Sequence, residues 1–191
     1  MSLFRERGYD AVKLEEIAEH AEVSPGTIYT YFKTKNDLLL EIVVDDLKLA
    51  IQEVDVLLQG PFGSAHEMLD RIIDCHCDGI EDRVSRDMWR VAVADYIRNP
   101  RSVFGTEYEN SLTTIDRQFV MFFQRLMREN KLPRTHSARL LAAGLSNQFN
   151  MSFIEFIRSE TMSLDAMATR LKRLSRLSLI PMSEQRPDPM E

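Results

Sequence analysis

Apolar residues recur along this chain at intervals of three and four, the spacing of helix faces, and the first such stripe is short: Leu14, Ile17, Ala18 and Ala21. Only Glu22 and Val23 separate it from Ser24-Pro25. The Ser24 hydroxyl suits a helix cap that accepts from a free backbone N–H, and Pro25 suits the first helical position, where its missing N–H has no bond to lose. A second helix is predicted to begin there. At about 100° per residue, Ile28 and Phe32 share one face, while Gly26, Thr27, Thr30 and Lys33 spread over the opposite one. Tyr29 and Tyr31 lie at the margins of that small, polar, basic surface. Two short helices joined by a tight turn make a helix-turn-helix, whose second helix enters the DNA major groove. A helical hairpin with no nucleic-acid role shares the pattern and is the plainer alternative.

The remaining stripes predict an all-α chain. Thr34-Lys35-Asn36-Asp37 reads as a capping box opening a long helix, continued by Val43, Leu47, Ala50, Ile51, Val54 and Leu57 up to Gly60. Gly60-Pro61-Phe62-Gly63-Ser64 is the clearest break but is too short for an interdomain linker, so the domain boundary is placed inside the long helix, near residue 46. Leu69, Ile72, Ile73, His76 and Ile80 predict a helix over 65–80. Met88-Trp89 through Tyr96-Ile97 is apolar on more than one face, as in a helix enclosed by neighbours, and Asn99-Pro100 ends it. Tyr108, Leu112, Ile115, Phe119, Phe122 and Leu126 mark another long helix, closed by Leu132-Pro133. Residues 137–158 mix Ala138, Ala142, Ala143, Gly144 and Ser146 with larger apolar groups, so a neighbouring backbone can approach closely. After a Ser163 cap, Leu164, Met167, Leu171, Leu174 and Ser178 run at heptad-like spacing. Residues 181–191 read as a loose tail.

Composition agrees with this reading. Seven Gly, seven Pro and no alternating apolar runs among 191 residues favour helices over strands. The longest apolar runs fall well short of about 18 residues and no signal peptide precedes the motif, so the expectation is a soluble cytoplasmic protein with no membrane partner. Cys75 and Cys77, two apart on a helix, point away from one another, which favours reduced thiols over a disulfide or shared metal. The net charge of −6 does not announce a nucleic-acid binder. Residues 1–40 hold five cations against seven carboxylates, so any attraction to phosphate must be local. Lys33 and Lys35 supply it, and Glu15, Glu16 and Glu19 must point away from DNA. Thr27 and Thr30 are the candidates for base contact, with Tyr29, Tyr31, Lys33 and Lys35 for phosphate.

From Phe4 to Leu39 the chain resembles the TetR (tetracycline-repressor) family of bacterial transcription regulators. The matching residues are Gly8-Tyr9, Ile17-Ala18, Ala21, Val23-Ser24-Pro25-Gly26-Thr27-Ile28-Tyr29, Tyr31-Phe32, Lys35 and Leu38-Leu39. Three departures stand out. Lys13 replaces the usual capping Thr or Ser and cannot accept a hydrogen bond, leaving Asp10 or solvent to serve. Glu22 replaces the common turn Gly, where a left-handed backbone carries a penalty that Gly avoids. Family members usually carry a full helix before the Gly-Tyr pair, whereas Met1 to Arg7 stand there here, so the resemblance implies a natural beginning further upstream.

The resemblance implies a helix-turn-helix DNA-binding domain of three helices over 1–46, and a larger helical effector-binding and dimerisation domain over 47–180. It further implies a homodimer joined by its last two helices, a repressor bound to a palindromic double-stranded operator and released by a small-molecule effector. The candidate effector residues are His76, Met88, Trp89, Tyr96, Phe122, Phe123, Asn147 and Gln148, although core filling is the plainer reading of any one of the apolar members. No phosphate loop or zinc spacing is present, so no cofactor, metal or enzymatic role is assigned. An activator or protein-responsive regulator of the same family remains open, as does a helical carrier or enzyme retaining the motif as scaffold.

Overall fold

The computed structural model describes residues 2–61, 63–78, 80, 84–134 and 137–179. Among them are nine α-helices: α1 Ser2–Arg7, α2 Leu14–His20, α3 Pro25–Tyr31, α4 Lys35–Gln59, α5 Ala65–Cys77, α6 Arg86–Arg98, α7 Val103–Arg128, α8 Ala138–Arg158 and α9 Leu164–Ser175, followed by a short 3-10 turn, Arg176–Leu179. No strand occurs among the described residues.

Hydroxyl caps set where these helices begin. Each of α3 to α9 opens on a Ser or Thr oxygen that accepts from the N–H three residues on: Ser24, Thr34, Ser64, Ser85, Ser102, Ser137 and Ser163. Replacing such a cap by Ala typically costs about 1 kcal/mol. At Thr34 the box is reciprocal, because Asp37 Oδ2 also accepts from the Thr34 N–H at 2.8 Å. Lys13 is capped by neither Asp10 nor its own side chain. The Glu16 carboxylate instead reaches back to the Lys13 N–H at 2.7 Å.

Left-handed residues set where two of them end. Glu22 has φ 56° and Asn130 φ 55°. At α2 the Val23 N–H donates to Ala18 O and the Glu22 N–H to Glu19 O; at α7 Lys131 donates to Leu126 O and Asn130 to Met127 O. Both are Schellman closures, the geometry for which Gly is the preferred residue. Leu132-Pro133 therefore does not close α7. Asn130 does, and Leu132 is buried instead. Ala21, expected in the α2 stripe, is the exposed C-cap. Ile97 of α6 is exposed, so that helix is not enclosed on every side. The tail read over 181–191 lies outside the described residues.

The chain forms two compact units: residues 1–50 with 78–112, and residues 51–77 with 113–191. In the first, Leu14, Ala18 and Ile28 are buried together, with Ile17, Phe32 and Leu38 packed against them. Met88 and Trp89 are buried there as well, and the Trp89 indole N–H donates to Ile80 O at 3.3 Å. In the second, Phe119, Phe122, Phe123, Leu126 and Phe156 are fully enclosed. Its α9 packs on α5 and α8 through Met167 and Leu171. Two buried or half-buried polar side chains bind backbone across that unit: Gln118 Nε2 donates to Ile51 O, and Arg125 Nη1 to Leu58 O and Gly60 O. Arg125 thereby satisfies carbonyls left over at the end of α4.

Candidate nucleic-acid interface

The α2–α3 pair is built on very little core. Leu14, Ala18 and Ile28 are its buried members, and this is enough because the two helices are seven residues each and the turn between them is fixed by the Glu22 closure. Ser24 Oγ accepts from the Thr27 N–H at 3.1 Å and shares a second hydrogen bond with the Thr27 hydroxyl at 2.8 Å. The Thr30 hydroxyl donates to Gly26 O at 2.9 Å, one turn back. Both threonines are thus locally oriented on an exposed surface. Gly26 carries no side chain there, which lets a ligand come near the backbone.

α3 ends at Tyr31, two residues short of Lys33, which the pattern placed on its face. Phe32 has φ −127° and ψ 114°, extended rather than helical, because its ring turns inward onto the α2–α3 core. Lys33 consequently lies exposed beyond the helix and not on its outer face, while Tyr31 stands at the last turn, 76% exposed.

The remaining candidates are already engaged. The Tyr29 hydroxyl donates to Glu15 Oε1 at 2.6 Å. That bond holds the Glu15 carboxyl below its ordinary range and raises the phenol. Glu15 therefore does not point away from α3 but sits against one of its tyrosines. Glu16 does turn aside, toward the Lys13 N–H and the Arg7 guanidinium at 2.9 Å, and both lower its pKa. Lys35 Nζ donates to the carbonyls of Tyr9 and Asp10 and lies 4.3 Å from the Tyr9 ring centroid, so it fastens the segment before α2 to the start of α4. Sequence gave no signal for the Glu15–Tyr29 bond, since its partners are fourteen positions apart.

The candidate effector residues fall into different units. Met88, Trp89 and Tyr96 belong to the first, where Tyr96 stacks on Tyr108 at 4.7 Å and donates to the Glu109 carboxylate. His76, Phe122, Phe123, Asn147 and Gln148 belong to the second. There the His76 ring meets the edges of Phe119 and Phe149 at 5.9 and 5.5 Å. Burial pushes its pKa down to about 4, and its Nε2 has no hydrogen-bond partner among the described residues. Phe122 and Phe123 are paired at 5.1 Å, Gln148 accepts from Ser175, and Asn147 is exposed. Cys75 and Cys77 form no disulfide, and no group of three metal-ligating side chains occurs among the described residues. No helix there is long and apolar enough to cross a membrane.

A capped helix with small polar groups outward, set on a second short helix in an otherwise all-helical chain, defines the helix-turn-helix class. Residues 1–42 match the family model described as bacterial regulatory proteins, tetR family. Over those residues the chain is similar to that family. The HTH-type transcriptional regulator TcmR of Streptomyces glaucescens is 28% identical over 117 residues, 55% of this chain and 52% of that protein. The fatty acid metabolism regulator protein of Bacillus subtilis is 30% identical over 76 residues, 40% of this chain and 39% of that one. The chain thus spans about half the length of one relative and less of the other. Among solved structures, the TetR-family repressor FadR of Thermus thermophilus, in complex with lauroyl-CoA, superimposes with a TM-score of 0.62 at 22% identity, covering 100% of this chain and 95% of that one. At that identity the likeness establishes the fold.

Proposed function

We propose that this protein is a homodimeric transcriptional repressor that binds a palindromic operator through α3 and is released by a small-molecule effector. It performs no catalysis on this reading. The observation that carries it is the exposed face of α3, on which Thr27 and Thr30 are held in fixed rotamers by Ser24 and Gly26 with Tyr29 and Tyr31 beside them. Thr27 and Thr30 are assigned to base edges, and Tyr29, Tyr31, Lys33 and Lys35 to phosphate. Residues 1–46 carry this reading, and 47–180 the effector and dimer functions.

Dimerisation is assigned to α8. Leu140, Gly144, Asn147 and Met151 fall within about 60° of one another around that helix. Leu140 is 75% exposed and Met151 60%, and among the described residues no atom beyond the helix's own backbone stands within 4 Å of a Cβ placed on Gly144. A second α8 fits such a stripe closely, and a two-fold pair matches a palindrome.

The effector is assigned to the aromatic interior of the second unit, where His76 Nε2 and Gln118 Oε1 are buried acceptors without a hydrogen-bond partner among the described residues. An apolar ligand with hydrogen-bond donors suits that setting. The lauroyl-CoA held by the Thermus protein makes a long-chain acyl-CoA the first effector to try.

The test is selection of bound fragments from the organism's own genomic DNA, followed by titration at fixed salt. The expected result is a two-fold symmetric site bound in preference to scrambled competitor, weakened in Tyr31→Ala and released by effector. No preference for any duplex overturns the reading.

A further inference from the structure

Within the first compact unit, the end of α3, the opening turns of α4 and the opening turns of α7 enclose a groove of about 200 Å³. Its floor is apolar, formed by the buried Leu40 and Val44, and Val103 with three aromatic rings, Tyr31, Phe32 and Phe104, stands around it. Its charged members are all carboxylates: Asp37, Glu41 and Glu107. No Lys, Arg or His is among the nine lining residues.

These carboxylates are not equally committed. Asp37 caps α4 through Thr34, and Glu107 accepts from Lys48 at 3.1 Å, with Glu107 itself partly exposed. Among the described residues no hydrogen bond or ion pair engages Glu41, which stands one turn along from Asp37 and acts on the Lys48 ammonium only at longer range. The apolar groups at the mouth are unusually open to water: Val103 is 82% exposed and Tyr31 76%. Covering them on binding is favourable in itself.

Carboxylate charge beside aromatic faces and an apolar floor is the chemistry that recognises organic cations, whose charge is spread over carbon-bearing nitrogen and attracted to ring quadrupoles. A bare divalent metal needs convergent oxygen ligands instead, and no such group is present among the described residues. Ligand pockets for drug-sized molecules run from about 300 to 1,000 Å³, so this groove takes something smaller.

We propose that this groove is a binding site for a small organic ammonium ion with an aromatic or short alkyl body, its charge facing Glu41 and its body lying across Val103 and the Tyr31 ring. On the DNA-binding reading above, an ion stacked on Tyr31 also competes with operator phosphate.

Calorimetric titration of the full chain without DNA tests the site whether or not that reading holds. The probe is benzyltrimethylammonium, with benzyl alcohol as the uncharged aromatic control. One saturable site per chain is expected for the cation and none for the alcohol over the same range. Glu41→Gln and Tyr31→Ala, both at exposed positions and each checked for folding by circular dichroism, are each expected to weaken the cation by about three- to fivefold. Binding no stronger than that of benzyl alcohol, or binding unchanged in both variants, overturns the proposal.

Discussion

Tyr29 of α3 donates its hydroxyl hydrogen to Glu15 of α2 at 2.6 Å, so a carboxylate is fixed against the helix assigned to DNA. It orients the phenol and at the same time repels phosphate. Glu15→Gln keeps an acceptor oxygen for Tyr29 while removing the charge. Operator affinity is expected to rise by about two- to fivefold at moderate salt, the scale of one exposed charge interaction. Anisotropy titrations of the two proteins on the same duplex decide it, and an unchanged or weaker complex rejects the repulsive role. Because the hydrogen bond lowers the Glu15 pKa, the contact is complete above the ordinary carboxylate range and is lost only as pH falls through the lowered value.

The left-handed Glu22 gives a stability prediction. An L-residue in that conformation costs roughly 1–2 kcal/mol, partly offset by the greater unfolded-state freedom of Gly. Glu22→Gly is therefore expected to stabilise the chain by about 1 kcal/mol, which for a chain of this size is about 2–4 °C in Tm. A calorimetric scan showing no rise contradicts the assignment of strain to φ 56°.

His76 predicts a pH dependence. Its folded pKa, about 4, is depressed by burial from 6.5, so the unfolded chain binds the extra proton first as pH falls. Stability is full above about pH 6.5, declines between there and pH 4, and stops declining through this group below that. The total is about 3 kcal/mol. His76→Leu should flatten that limb relative to the parent, as read from urea midpoints at pH 7 and pH 4.5. Parallel midpoints in the two proteins exclude His76 as the source.

The α8 stripe predicts assembly. Leu140→Glu combined with Met151→Glu places two charges on the face assigned to the partner helix, where burial without a counter-charge is strongly disfavoured. Sedimentation is expected to show the parent as a dimer and the variant as a folded monomer. A variant that stays dimeric moves the interface elsewhere.

What sequence revealed was local. Ser24 over Thr27 and Thr34 over Asp37 are three-residue relationships, and the structure reproduces both. The buried stripe of α5, from Leu69 to His76, follows equally from helical spacing. The end of α7 was obscured because Pro133 gives a louder signal than Asn130, although the left-handed asparagine is what stops the helix. Long-range polar bonds left no trace: Gln118 meets Ile51 across 67 positions, and nothing in either neighbourhood marks the pair. Composition also could not sort aromatic residues between units. Trp89 and Phe122 look alike as core candidates, yet they belong to different compact bodies.

Lys35 shows how one ammonium group can blur an experiment. Of its three N–H bonds, two are given to the Tyr9 and Asp10 carbonyls, and the Tyr9 ring shields part of what is left. At most a single donor stays open toward an operator. Truncating this side chain would unclasp the leading segment from α4, and the loss would register in a binding assay even if no phosphate oxygen ever came within reach.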